Sequence, residues 1–150
     1  MVNRLLLTLT VGVLAAMLTA AGCGGSDEPE SLTKAEYVKR ANAICVKLNK
    51  DTSVKFDTFY REPGKPTTAQ LKAMTKSVYL GNMQARLDQL RELPVPEGEE
   101  AKVDALLAAM QKGIDEAASQ RAIAFQNTTL FFTRANKLAQ ELGPEYCYGV

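Results

Sequence analysis

Cys23, Cys45 and Cys147 carry the most reactive side chains in a 150-residue chain that contains no histidine. A thiol can be acylated, bind a soft metal, act as a nucleophile or pair with a second thiol, and its surroundings decide which. No Cys or His spacing of a metal site occurs, and there is no phosphate-cradling glycine loop or calcium loop. Without histidine the chain lacks the side chain that changes charge near neutral pH and is the commonest metal ligand. Asp115 and Glu116 are adjacent carboxylates, but neighbours on a helix point roughly 100° apart and face no common substrate. Ser31, Ser53, Ser77 and Ser119 lie in no nucleophile-elbow pattern. The expectation is a protein that is not an enzyme, with no metal and no cofactor.

What precedes Cys23 gives that thiol a different chemistry. Met1 to Arg4 is short and positive, Leu5 to Leu18 is apolar apart from Thr8, Thr10 and Gly12, and Thr19 to Gly22 is small. These are the three regions of an export signal. Ala20-Ala21-Gly22-Cys23 resembles the bacterial lipobox, in which a diacylglycerol is joined to the Cys thiol and cleavage then exposes that Cys; the resemblance implies lipidation of Cys23. Residues 1–22 then form the removed signal, 23–32 a Gly/Ser-rich acidic tether, and 33–150 the folded domain. A retained membrane helix over Leu5–Gly22, or simple secretion, are the competing readings. In each, Arg4 stays inside and Glu28 onward lies outside the cytoplasm. The tether reaches roughly 35 Å if extended, so the domain hovers at its membrane.

Lipidation leaves Cys45 and Cys147. In an oxidising compartment two thiols in one small domain pair more often than not, although two reduced, buried side chains are the alternative. Closing so long a loop would stabilise the fold by about 4–5 kcal/mol.

The elements that position these residues are helical. Leu32-Thr33-Lys34-Ala35-Glu36-Tyr37 fits a capping box with a hydrophobic staple. It opens a helix whose stripe runs Tyr37, Ala41, Ile44, Cys45, Leu48, Phe56, Phe59, until Pro63-Gly64-Lys65-Pro66 stops it. Thr67 and Gln70 open a second helix with Leu71, Met74, Val78, Met83, Leu87 and Leu90, closed by Pro94 and Pro96. A third runs from about Glu97 to Phe125 on Val103, Leu106, Leu107, Met110 and Ile114, its acids suiting the positive end of a helix dipole. Asn127 or Thr128 caps a fourth, carrying Phe131, Ala135, Leu138 and Leu142 and ending at Gly143-Pro144, unless helix three continues through. No period-two run is present. The fold class is therefore all-α, an up-down bundle of three to four helices with one disulfide.

Helix lengths suggest a site. With the fourth helix descending from the far end of the first, it stops level with Cys45 and leaves the lower turns of helix one short of a neighbour. Tyr37, Val38, Ala41 and Ile44 then meet Leu87, Leu90 and Leu106. Either three helices close this core, or an apolar groove remains, ringed by Lys34, Lys39 and Arg40, for a lipid tail or a partner helix.

Charge narrows the partners. Lys and Arg number 18 against 17 acids, and losing Arg4 makes the mature domain neutral, which argues against nucleic acid. Residues 34–62 are basic and 97–116 acidic, so helices one and three attract through surface pairs, unless the basic face meets anionic lipid.

Leu32 to Val38 with Arg40-Ala41-Asn42-Ala43-Ile44-Cys45, Leu93-Pro94-Val95-Pro96-Glu97-Gly98, and Leu142-Gly143 followed shortly by a Cys resemble small actinobacterial lipoproteins of unassigned function. The resemblance implies the anchor and the disulfide, and it supplies no activity. The expected role is a membrane-anchored, non-enzymatic binding or structural module of the cell envelope, with an envelope protein or wall component as partner. The alternative is a bundle that binds an apolar small molecule or lipid.

Overall fold

The computed structural model describes residues 31–119 and 129–147. Helix α1 spans Lys34–Arg61, α2 Thr68–Met74, α3 Gly81–Arg91, α4 Glu100–Ser119 and α5 Thr129–Leu142. A π-helical stretch, Thr75–Leu80, joins α2 to α3 without a break, so the described residues form four rods. A 3₁₀ turn over Glu145–Cys147 follows α5. No strand occurs among the described residues.

Local chemistry sets most of the ends. The Glu36 amide donates to Thr33 Oγ1 at 3.3 Å while the Thr33 amide donates to Glu36 Oε2 at 3.0 Å. The Thr33 hydroxyl also donates to Glu36 Oε2 at 2.6 Å, and this bond together with the one from the Thr33 amide holds the Glu36 carboxyl below its usual range. Thr67 and Gln70 repeat the exchange at 3.2 and 2.8 Å. The third helix starts at Glu100 and not at Glu97, because the chain turns at Gly98 with φ +79° first. Gly143, at φ +118°, stops α5 with its amide donating to the Ala139 carbonyl at 2.8 Å. The expected caps Asn127 and Thr128, and the question of whether helix three runs through them, lie outside the described residues.

The apolar stripe of the second helix steps by five from Val78 to Met83, and the π stretch overlaps the start of this step. A π turn takes one more residue than an α turn, which keeps Leu71 and Met83 on comparable faces of one rod. Thr75 and Ser77 donate their hydroxyls to the carbonyls of Leu71 and Ala73, four residues back, and such bonds bend helices.

The rods pack as a ring: α5 on α4 over the broadest contact, α4 on α3, α3 on α1, with the 3₁₀ turn reaching from α5 to α1. Gly113 lets α4 and α5 approach, since a Cβ there would lie 2.6 Å from the Phe131 carbonyl oxygen and 2.9 Å from the Phe132 ring. At the lower end Lys34 reaches Glu99, just ahead of α4, at 3.0 Å and Lys102 joins the same carboxylate at 2.7 Å; this is one ion pair between the basic and acidic segments, while α1 and α4 are not neighbours in the ring. Those bonds keep the Glu99 carboxyl below its usual range.

Helix α1 outruns the bundle. Its fully buried residues are Tyr37, Ala41, Cys45 and Leu48, and beyond Leu48 it continues for roughly 20 Å with Phe56 and Phe59 only half-buried. Tyr60, 59% exposed, packs on Phe56 and Phe59 with ring centroids 6.3 and 5.3 Å away. This overhang corrects the expected height of the fourth helix. Measured from the top of the ring instead of the tip of α1, α5 reaches lower than Cys45 and ends with Gly143 against Val38.

Candidate functional site

Cys23, the expected lipidation site, lies outside the described residues. Cys45 and Cys147 are bonded, with Cα atoms 5.2 Å apart and a separation of 102 positions in sequence. Both are buried. The bond closes the side of the ring where the 3₁₀ turn, not a helix, faces α1.

The seven groove residues do come together, but as core. Tyr37, Ala41, Leu87, Leu90 and Leu106 are each no more than 2% exposed, and Val38 and Ile44 are half-buried beside them. The end of α5 lies beside Val38, a neighbour that the expected geometry did not supply, and of the two expected outcomes, closed core or groove, these residues form the core. The Tyr37 hydroxyl finds no hydrogen-bond partner there, and burial pushes its pKa up to about 12.

Two features were not anticipated from the sequence. The first is Arg86, 1% exposed and without an acid partner among the described residues. Its guanidinium donates to Asn49 Oδ1 at 2.5 Å, Asn82 Oδ1 at 3.4 Å and the Cys147 carbonyl at 3.5 Å. Burial pulls its pKa down to about 10, opposed by Tyr79, so it remains charged at neutral pH. Asn49 also donates to the Tyr146 carbonyl, Asn42 accepts from the Tyr146 amide, and Asn82 donates to the Leu48 carbonyl. Every bond of this cluster ties α1, α3 or the 3₁₀ turn to another element, or Arg86 to Asn82 one turn before it. It is a clamp around the disulfide. The signal in the sequence was Arg86 lying seven residues after Tyr79 and four before Leu90, on the buried face.

The second is a cleft of about 300 Å³ between the α2–π rod and the last turn of α4, lined by Lys72, Ala73, Thr75, Lys76, Leu80, Ala117 and Ala118. It exists because small side chains face each other where the rods would otherwise interlock. Its wall is mainly apolar, and this is the lower end of the size range of ligand pockets. Lys72 and Lys76 stand one turn apart at its mouth and make no ion pair among the described residues. On α4, Asp115 accepts from Gln111 at 3.0 Å and Glu116 pairs with Lys112 at 3.7 Å, both along their own helix. No cluster of three or more metal-ligating side chains occurs among the described residues, and no described helix is long and apolar enough to cross a membrane.

Fold and site together define a disulfide-closed, all-α bundle with one lysine-rimmed apolar cleft on its described surface. The chain matches no protein-family model, and comparison with curated proteins and with solved structures returns no match.

Proposed function

We propose that this chain is a bacterial lipoprotein: exported, acylated at Cys23, and held outside the cytoplasm as a non-enzymatic binding or structural module of the cell envelope. The observation that carries the reading is the Cys45–Cys147 bond, since structural disulfides persist in oxidising compartments. It agrees with the positive, apolar and small-residue regions ahead of Cys23. Two or more acyl chains on one cysteine anchor stably where a single chain holds only marginally.

Fractionation of cells carrying Cys23→Ser tests the anchor. The variant should leave the membrane or accumulate as uncleaved precursor; a cleaved chain still bound to membranes would refute it. Crosslinking in intact cells, followed by mass spectrometry, then identifies the envelope protein or wall component at the domain surface. The cleft favours a second reading, a bundle that binds an apolar small molecule or lipid.

A further inference from the structure

We propose that the cleft between α2 and the end of α4 holds a single-chain anionic amphiphile, its tail against Ala73, Leu80 and Ala117 and its headgroup on Lys72 and Lys76. This deepens the second reading above and rests on it.

Size, polarity and charge each narrow the occupant. At about 30 Å³ for a group the size of a water molecule, 300 Å³ takes on the order of ten methylene-sized groups in line. That is one alkyl chain, and it is too little for an amphipathic helix. Among the described residues the mainly apolar wall has no charged group beyond the two lysines, so the part that enters is hydrocarbon. The lysines lie four residues apart on one face, and neither makes an ion pair among the described residues. Two adjacent ammonium groups without a counter-charge favour an anion bound between them, and their methylene stems extend the apolar wall outward. A carboxylate or phosphate at the end of one alkyl chain satisfies all three conditions. A cationic amphiphile of the same length meets repulsion at the mouth. The Thr75 hydroxyl is already donated to the Leu71 carbonyl, which leaves the lysines as the headgroup contacts.

The test uses the full chain in phosphatidylcholine vesicles and dodecanoate bearing a diazirine near its methyl end. After irradiation, the label should map to the peptides carrying Ala73 to Leu80 and Ala117–Ala118. Excess dodecanoate should compete and dodecyltrimethylammonium should not. Ala118→Trp, at an exposed position on the rim, should lower labelling at least about tenfold by filling the space. Lys72→Ala with Lys76→Ala should lower it about three- to tenfold, as expected for two solvent-facing charge contacts. Helix content by circular dichroism confirms that both variants fold. Label spread over the chain, equal competition by the cationic detergent, unchanged labelling in both variants, or an unlabelled cleft would each overturn the proposal. Sedimentation of the Cys23→Ser chain with vesicles is scored separately. An unlabelled cleft in an anchored protein removes the ligand alone, and a labelled cleft in an unanchored one removes the anchor alone.

Discussion

Gly113→Ala adds one methyl group at the point where α4 and α5 touch, and two opposing effects decide its outcome. The new Cβ would sit 2.6 Å from the Phe131 carbonyl oxygen and 2.9 Å from two ring carbons of Phe132, against about 3.5–4.0 Å for an ordinary carbon contact. Relief needs the two helices to part by most of an ångström, since one neighbour is backbone and the other a ring that is only 4% exposed. Such overpacking costs about 1–3 kcal/mol. Alanine recovers about 0.5–1 kcal/mol through its higher helix propensity. The net expectation is a loss of about 1–2 kcal/mol. Gly81→Ala is the matched control, because Gly81 is also helical but its Cβ would meet nothing within 4 Å. It should gain about 0.5–1 kcal/mol. Urea unfolding followed by helical circular dichroism, under non-reducing conditions, reads both as midpoint shifts of opposite sign with unchanged slope. A Gly113→Ala protein as stable as the parent would refute the close approach of α4 and α5.

Reducing the disulfide, or replacing Cys45 and Cys147 together by Ala, should lower stability by about 4–5 kcal/mol in the chain-entropy account of a loop closed across 102 positions, measured by urea unfolding with and without reductant. Arg86→Ala leaves Asn49, Asn82 and the Cys147 carbonyl without their donor and should cost about 2–4 kcal/mol, whereas Arg91→Ala on the exposed face should change stability by less than about 0.5 kcal/mol. Tyr37→Phe removes a buried hydroxyl that has no partner among the described residues and should raise stability by about 1 kcal/mol in a melting experiment. Because the Tyr37 pKa is raised from 10 to about 12 in the folded chain, the stability it contributes is complete below pH 10 and is lost as pH rises toward 12. The parent should therefore weaken over that window relative to Tyr37→Phe, and a spectrophotometric titration should show one tyrosine ionising late that the variant lacks.

What was legible in the sequence was what short range decides. Thr33 with Glu36 and Thr67 with Gln70 mark helix starts because each bond closes within one turn, and both are formed. Gly143-Pro144 marks a stop for the same reason. The pairing of Cys45 with Cys147 followed from parity once Cys23 was set aside. Where a residue's role depends on a distant neighbour, the pattern was silent. Gly113 sits inside a strong stripe between Lys112 and Ile114, and only the Phe131–Phe132 backbone and ring across from it explain why it has no side chain. Arg86 reads as surface until its face is aligned with Tyr79 and Leu90.

The groove failed through geometry. Phe56 and Phe59 continue the stripe of α1 and extend the expected bundle to its tip, but among the described residues nothing packs fully on its second half. Starting α5 from the tip of α1 places its end too high and takes α5 away as a neighbour of Tyr37, Val38, Ala41 and Ile44; in the fold Tyr37 and Ala41 are buried, Val38 and Ile44 are half-buried, and Gly143 lies beside Val38. The cleft had no sequence signal of its own. Ala73, Ala117 and Ala118 are ordinary helix formers, and their meeting across two rods depends on the register that the π stretch sets.

The most direct test of the account is mass spectrometry of the protein recovered from the membrane fraction and digested without reduction. The account predicts that the first peptide begins at Cys23 and carries the mass of attached acyl chains, and that Cys45 and Cys147 appear in one disulfide-linked peptide pair. A first peptide that still contains residues before Cys23, or one that begins there without a lipid, would contradict it.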